Sequence, residues 1–415
     1  MLQAMALWVD SEIGKLKKVV IHSPGCEIEV MTPEAAEQVL YNDIIPLQVV
    51  AKEHRELAAF LAGICNVYQI QDLLCEVMED PAVRSNIEEA LLREYGAEHR
   101  REELTSCTSR RLSEICIHGL RKESKNLRAY LSPREFDILP LPNLFFTRDS
   151  AMVYRDSLII ASMASAVRNM ESVIMYHIGK NHQLFRSSAM LYEGNMREGP
   201  EERIEGGDCI VLSPEILCIG ISERTGAAAV DVLVQKIVRS YGGPLTVFAV
   251  LLPRERATIH LDMVFTQIDT EQALVHYPLI VGRERLRVVR IDVGREGDMQ
   301  FSEVDSLLQG LADAGLKMDY VCCGGPTLLG QKREQWMSGA NMFAFAPGKI
   351  IGYGANEATF CELAGAGYTV KDASDFIEGG ETVDSYSKLA VKINGIELAR
   401  GGGGIRCMTM PIERA

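Results

Sequence analysis

The stretch DSAMVYRDSLIIASM, residues 149–163, decides how the fold is read: an acid, an apolar strand, a polar turn and a second apolar strand. The same plan returns in DCIVLSPEILCIGIS (208–222), DMVFTQIDTEQALVHYP (262–278) and NMFAFAPGKIIGYG (341–354). Two apolar runs around a tight polar turn signal a hairpin. Helical candidates follow at 166–179, 227–241 and 357–366. With the N-terminal strand LKKVVIH (16–22), about five ββαβ-like units are expected to share an axis, since each is too small to bury its apolar face alone. The recurrence is not strictly periodic, its third interval being longer. In such a ring Asp149, Asp208, Asp262 and Asn341, which head equivalent strands, would converge at one end. Any one of them reads equally well as a turn residue capping its own strand; four at the same place in the unit favour convergence.

Upstream the texture differs. Ile44, Leu47, Val50 and Leu57 recur at helical spacing over residues 43–62, and 67–70 is strand-like. From 71 to 130 the chain is rich in Leu, Glu and Arg, with consecutive helices expected at 87–95, 102–119 and 125–131. The expected organisation is an α/β domain built from 1–70 and 131–415, interrupted by a bundle of four or five helices at 71–130.

Of the 415 residues 47% are hydrophobic and 24% charged, a globular composition. The formal net charge of −14 would repel the phosphates of nucleic acid or a membrane surface and suits a cationic small molecule, although acidity also simply maintains solubility. No apolar run approaches a membrane span and the start lacks a basic segment followed by an apolar one, so a cytoplasmic location is expected. Eleven scattered cysteines, with Cys322 beside Cys323, do not suggest a disulfide framework. No CxxC pair is present, so no structural zinc site is expected, and most thiols should be small buried side chains.

The exception is Cys407, in ARGGGGIRCMTMP (399–411). Glycines 401–404 imply a mobile loop or a close backbone approach, and the adjoining Arg406 should lower the thiol pKa. Cys407 is therefore the candidate nucleophile. His260, two residues before Asp262 in an expected strand, is the candidate general acid, the alternatives being a core histidine or a metal ligand, the latter disfavoured by the lack of a second His or a Cys at ligand spacing. EGGD (205–208) presents Glu205 and Asp208 around two glycines, or is a plain tight turn. LPNLFFTRD (141–149) carries Asn143, Phe146 and an Arg148–Asp149 pair. One thiol, one histidine, several carboxylates and no metal cage suit attack on a guanidinium carbon, because that cation needs paired carboxylates.

These motifs, together with SEIGKLKKVVIHSPG (11–25), HLDMVFT (260–266) and RCMTMP (406–411), closely resemble the arginine deiminase family of the guanidino-modifying, pentein-fold superfamily. The resemblance implies a five-bladed pseudo-symmetric α/β propeller with an inserted helical bundle. It also implies cofactor-free, metal-free hydrolysis of L-arginine to L-citrulline and ammonia through an amidino-cysteine. By the same match Cys407 is the nucleophile, His260 the general acid and base, Asp149 and Asp262 grip the guanidinium, and Glu205 supports the cluster. Arg168 and Arg224 would bind the substrate carboxylate, with Asn143 and Phe146 lining the site. An arginine that some relatives carry inside the glycine-rich loop is missing from 401–404. Agmatine, a methylarginine, amidino transfer or a silent guanidino sensor are the competing readings; the presence of Arg168, Arg224, Cys407 and His260 argues against them. A homo-oligomer is expected.

Overall fold

In the computed structural model the hairpin read from residues 149–163 forms as strands Ala151–Tyr154 and Ser157–Ile160. Arg155 turns it with φ at 51°, a costly conformation for a residue with a Cβ. Its guanidinium offsets that by lying over the rings of Tyr154 and Tyr241, 5.6 and 5.0 Å from their centroids. The structure describes residues 7–32, 41, 43–123, 127–131, 134–185, 188–194 and 201–415.

Five sheets repeat one arrangement: an antiparallel pair whose second strand also takes a parallel third. Ser157–Ile160 pairs parallel with Ala189–Glu193. Cys209–Ser213 and Ile216–Ile221 are followed by Leu245–Leu251. Phe265–Asp269 and Gln272–Val275 take Asp319–Cys322. Phe343–Ala346 and Lys349–Tyr353 take Leu389–Ile393. The fifth joins the two ends of the chain: Met410–Arg414 runs antiparallel to Leu16–Ile21, which is parallel to Asn66–Gln69. The longer third interval is accounted for by a hairpin, Val288–Val293 with Met299–Val304, that extends the sheet of the preceding unit. The result is a mixed α/β fold.

The first long helix is Leu47–Ala62 rather than 43–62, because Pro46 takes the N-cap position and leaves Ile44 outside. Five α-helices occupy the described part of 70–131: Ile70–Val77, Pro81–Tyr95, Arg101–Ser106, Ser109–His118 and Leu127–Leu131. Asp80 caps the second by accepting from the Ala82 and Val83 amides. The helix expected over 102–119 breaks at Cys107 because Thr108 caps a new one, accepting from the Arg111 amide at 3.2 Å. Residues 125 and 126 lie outside the described residues. A short strand pair not expected from the sequence, Leu120–Arg121 with Phe136–Ile138, closes this region. Leu74, Leu91 and Ile115 of these helices share a buried cluster with Val20, Val153 and Met410 of the sheets, so the helices complete a core that the sheets begin.

The cysteines depart from expectation. Besides Cys407, only Cys116, Cys209, Cys218 and Cys323 are buried, whereas Cys26 and Cys361 are exposed. Among the described residues no helix is long and apolar enough to cross a membrane.

Candidate active site

Each of the five sheets is led into its first strand by a polar side chain: Asp149, Asp208, Asp262, Asn341 and Cys407. Three sit in tight turns, the short helix Thr147–Ser150 and the 3-10 turns Gly206–Asp208 and Leu261–Met263. The five are linked to one another. Asn341 Oδ1 accepts the Cys407 amide at 3.2 Å, while its Nδ2 donates to the Asp262 carbonyl at 3.1 Å. Asp208 Oδ1 accepts the Leu261 amide at 2.9 Å, and the Arg148 amide donates to the Cys407 carbonyl at 3.0 Å. Asp208 and Asn341 therefore fix backbone, leaving Asp149, Asp262 and Cys407 to face one another.

The Cys407 Sγ lies 3.8 Å from Asp262 Oδ2. His260 Nε2 is 2.9 Å from Glu205 Oε2, and its Nδ1 is 3.7 Å from Asp149 Oδ1. All five side chains are buried: Cys407 is 3% exposed, Asp149 4%, His260 1%, Glu205 and Asp262 0%. Asp149 Oδ1, Asp262 Oδ1 and His260 Nδ1 are nonetheless without a hydrogen-bond partner. Buried polar atoms left open in this way cost free energy unless a ligand completes them. Asp149, Glu205 and His260 could also bring one ligand atom each within 4.8 Å for a metal. Arg168 and Arg224 already supply positive charge there.

Charge decides the protonation states. Burial opposes the His260 imidazolium, but Asp149, the Glu205 hydrogen bond and Asp208 outweigh it and raise its pKa to about 9. Burial likewise opposes the Glu205 carboxylate, yet Arg224, His260 and Arg168 hold it down at about 2. For Cys407 burial acts first, and Asp262 and Asp149 add to it, pushing the thiol well above its ordinary range.

That last result corrects the expectation drawn from Arg406. Its guanidinium is taken up by acids rather than by the thiol, binding Glu12 through Nε at 3.0 Å and Nη2 at 2.8 Å, and Asp262 Oδ2 through Nη1 at 2.7 Å. Arg406 thus orients Asp262 and only weakly favours the thiolate. Two smaller readings are corrected as well. His260 precedes a 3-10 turn rather than lying in a strand, and its hydrogen-bonded acid is Glu205, not Asp262. Asp149 pairs with Arg168 rather than with its neighbour Arg148, whose Nη2 has no partner.

Arg168 donates Nη1 to Asp149 Oδ2 at 2.8 Å and grips Glu171 with Nε at 2.9 Å and Nη2 at 2.8 Å. Its Nη2 also reaches the Asn143 carbonyl at 3.4 Å. Arg224 Nη1 lies 3.8 Å from Glu205 Oε1, and its Nε 3.5 Å from Glu223. Both arginines are therefore at the site, but Arg168 is held by two acids, Asp149 and Glu171.

The glycines are close-approach residues. A Cβ on Gly207 would lie 2.5 Å from His260 Nδ1, and one on Gly403 2.5 Å from Phe146 Cε1. The glycine-rich loop is thereby pressed onto the buried Phe146 ring, which leans on Phe145 with centroids 4.1 Å apart. Sequence reasoning missed Glu12 and Glu171. The second stands at i+3 from Arg168, a helical pairing signal; the first is 394 positions from its partner Arg406 and gave none.

The family model described as arginine deiminase matches residues 37–414. The arginine deiminase of Streptococcus pneumoniae strain CGSP14 is 32% identical over 433 aligned positions, covering 98% of this chain and 98% of that protein. That of strain Hungary19A-6 is 31% identical with the same coverage. Among solved structures, DDAH from Pseudomonas aeruginosa complexed with citrulline superposes with a TM-score of 0.52 at 11% identity, over 95% of this chain and 99% of that one. An amidinotransferase of saxitoxin biosynthesis from Microseira wollei gives 0.51 at 13% identity, over 99% and 97%. At such identities these two structures speak for the pentein fold alone.

Proposed function

The chain belongs to the arginine deiminase family, and from that premise we propose that it hydrolyses L-arginine to L-citrulline and ammonia at Cys407. The observation that carries this reading is the set of three buried atoms without a hydrogen bond in the cluster that holds the thiol: Asp262 Oδ1, and Asp149 Oδ1 and His260 Nδ1, which stand 3.7 Å apart. A guanidinium offers planar N–H donors to both carboxylates, and its Cζ would then sit over Sγ. The Arg168 guanidinium occupies part of this place, standing in for that of the substrate at Asp149. When arginine enters, Arg168 releases Asp149 and, with Arg224, receives the α-carboxylate. In this reading Asn143 and Phe146 line the substrate's place, and loop 401–404 must lift from Phe146 to admit it.

The same charges set the chemistry. Burial, Asp262 and Asp149 together hold the thiol protonated; a bound cation neutralises the two acids, so the substrate's own charge favours loss of the thiol proton to solvent. The thiolate attacks Cζ and forms the C–S bond. His260, still an imidazolium, protonates the departing nitrogen, and ammonia leaves an amidino-cysteine. Neutral His260 then takes a proton from water, whose oxygen adds to the same carbon. Collapse breaks the C–S bond and releases citrulline. Glu205 orients His260 throughout and favours its protonated form before each proton transfer to substrate, and no step calls for a cofactor.

In this reading the five sheets are blades of a pseudo-symmetric propeller, which explains why five sequence-distant leading residues meet. The helices of 71–130 are an insertion into the catalytic domain formed by 1–70 and 131–415. The protein is a cytoplasmic enzyme of arginine catabolism, supported by its free thiols, with no nucleic-acid or membrane partner. It self-associates, supported by Leu328, Leu329 and Trp336, which remain exposed on helix Leu328–Trp336. Citrulline formation from arginine, measured beside agmatine, tests the assignment: strong preference for arginine is expected, and equal use of agmatine would refute it.

A further inference from the structure

Away from the catalytic group, three metal-ligating side chains of different type meet where the helical segment touches the first sheet. Cys26 and Glu27 lie in the 3-10 turn Cys26–Ile28 that follows strand Leu16–Ile21, and His118 ends helix Ser109–His118. A thiol sulfur, a carboxylate oxygen and an imidazole nitrogen from these residues all lie within 4.8 Å of one another.

Glu27 is the telling member. Its side chain is fully buried, and its Oε1 is satisfied by the Gly25 amide at 2.7 Å and by His22 Nε2 at 3.2 Å. Its Oε2 accepts no hydrogen bond and stands 3.4 Å from His118 Nε2. A buried carboxylate normally finds a cation or a metal. A Cβ on Gly25 would come within 2.7 Å of Glu27 Oε2 and 3.2 Å of His118 Nε2, so the glycine keeps the space beside both atoms clear. Glu29 and Glu114 add negative potential at Cys26, which is exposed and leaves an entry path.

We propose that Cys26 Sγ, Glu27 Oε2 and His118 Nε2 bind a divalent cation of borderline softness, of the zinc class, with water in the fourth position. A thiolate, a carboxylate and an imidazole are the donor types such an ion takes in tetrahedral geometry. With metal–ligand bonds of about 2.0–2.3 Å, tetrahedral ligand atoms are about 3.3–3.8 Å apart. The Glu27–His118 pair already has that spacing at 3.4 Å, and the cysteine needs only to draw in. Binding releases the Cys26 thiol proton to solvent and involves no electron transfer. His22, holding the other carboxylate oxygen, fixes the direction of Oε2. Because the ligands come from the turn after the first strand and from a helix of 71–130, the ion would staple the two together and stabilise the folded state by mass action.

Cobalt(II) is the probe, since its thiolate complexes absorb where the protein does not. Titrating the intact metal-free protein should give one cobalt per chain, a thiolate-to-metal charge-transfer band and a raised Tm. Cys26→Ser should abolish the band, and His118→Ala should weaken binding roughly tenfold or more. Cys407→Ala, and wild type saturated with arginine, should keep the band, which separates this site from the catalytic thiol. Citrulline production by Cys26→Ser and His118→Ala should stay at the wild-type level and serves as the check that they fold. Cys26 is exposed, so its variant keeps the test valid even if His118→Ala misfolds. A band that survives Cys26→Ser, is lost in Cys407→Ala, or never forms overturns the proposal.

Discussion

Replacing Glu205 by Gln removes one charge beside His260 while preserving shape and a hydrogen-bond acceptor. In the native protein the imidazolium is lifted from 6.5 to about 9, against burial, by Asp149, Glu205 and Asp208. That difference corresponds to on the order of 3 kcal/mol. Glu205 contributes through both the 2.9 Å hydrogen bond and its charge. Burial continues to oppose the cation in the variant, so the pKa should fall by roughly one to two units. The sign follows directly: a raised pKa keeps the acid form available below it and loses it as pH rises through it. With arginine as substrate, kcat/KM for wild type should therefore decline above about pH 9. In Glu205→Gln the declining limb should begin one to two units lower, with the plateau nearly preserved. The assay is citrulline formation at subsaturating arginine across the pH range, with thermal unfolding run in parallel. A limb that stays in place, or a uniform loss at every pH, would refute the role given to Glu205.

Arg406→Met should leave Glu12 and Asp262 buried without their cation, costing about 3–5 kcal/mol in urea unfolding. Gly207→Ala puts a methyl 2.5 Å from the His260 ring and should lower kcat by roughly a hundredfold through misplacement of the acid, with a far smaller effect on KM. Arg224→Ala should lower kcat/KM for arginine by roughly 10–100-fold and leave the poor rate with agmatine nearly unchanged, since agmatine has no carboxylate to lose.

Much of this was legible because the hairpin plan is local. Alternating apolar strands around polar turns marked four units, and helix Ala227–Tyr241 fell on its expected residues. The leading acids Asp149 and Asp262 followed from their place in that plan. What the sequence could not show depends on contacts across the chain. The fifth unit is completed by strands from opposite ends, so Cys407 is the fifth leading residue, a role its position after four glycines did not disclose. Proximity along the chain misled twice: Arg406 adjoins Cys407 and Arg148 adjoins Asp149, yet both side chains point elsewhere, Arg406 to Glu12 and Asp262, and Arg148 Nε to the Arg406 carbonyl at 3.5 Å. The protonation state of Cys407 was unreadable for the same reason, because burial and two distant acids outweigh the adjacent cation.

The central claim is that Cys407 Sγ becomes covalently bound to the guanidino carbon. Rapid-quench mass spectrometry during turnover of arginine, followed by peptide mapping, measures this directly. The account predicts a transient increase equal to arginine less ammonia on the peptide containing Cys407, absent in Cys407→Ala, which should still bind arginine but form no citrulline. Turnover without an adduct, an adduct on another cysteine, or citrulline from Cys407→Ala would contradict it.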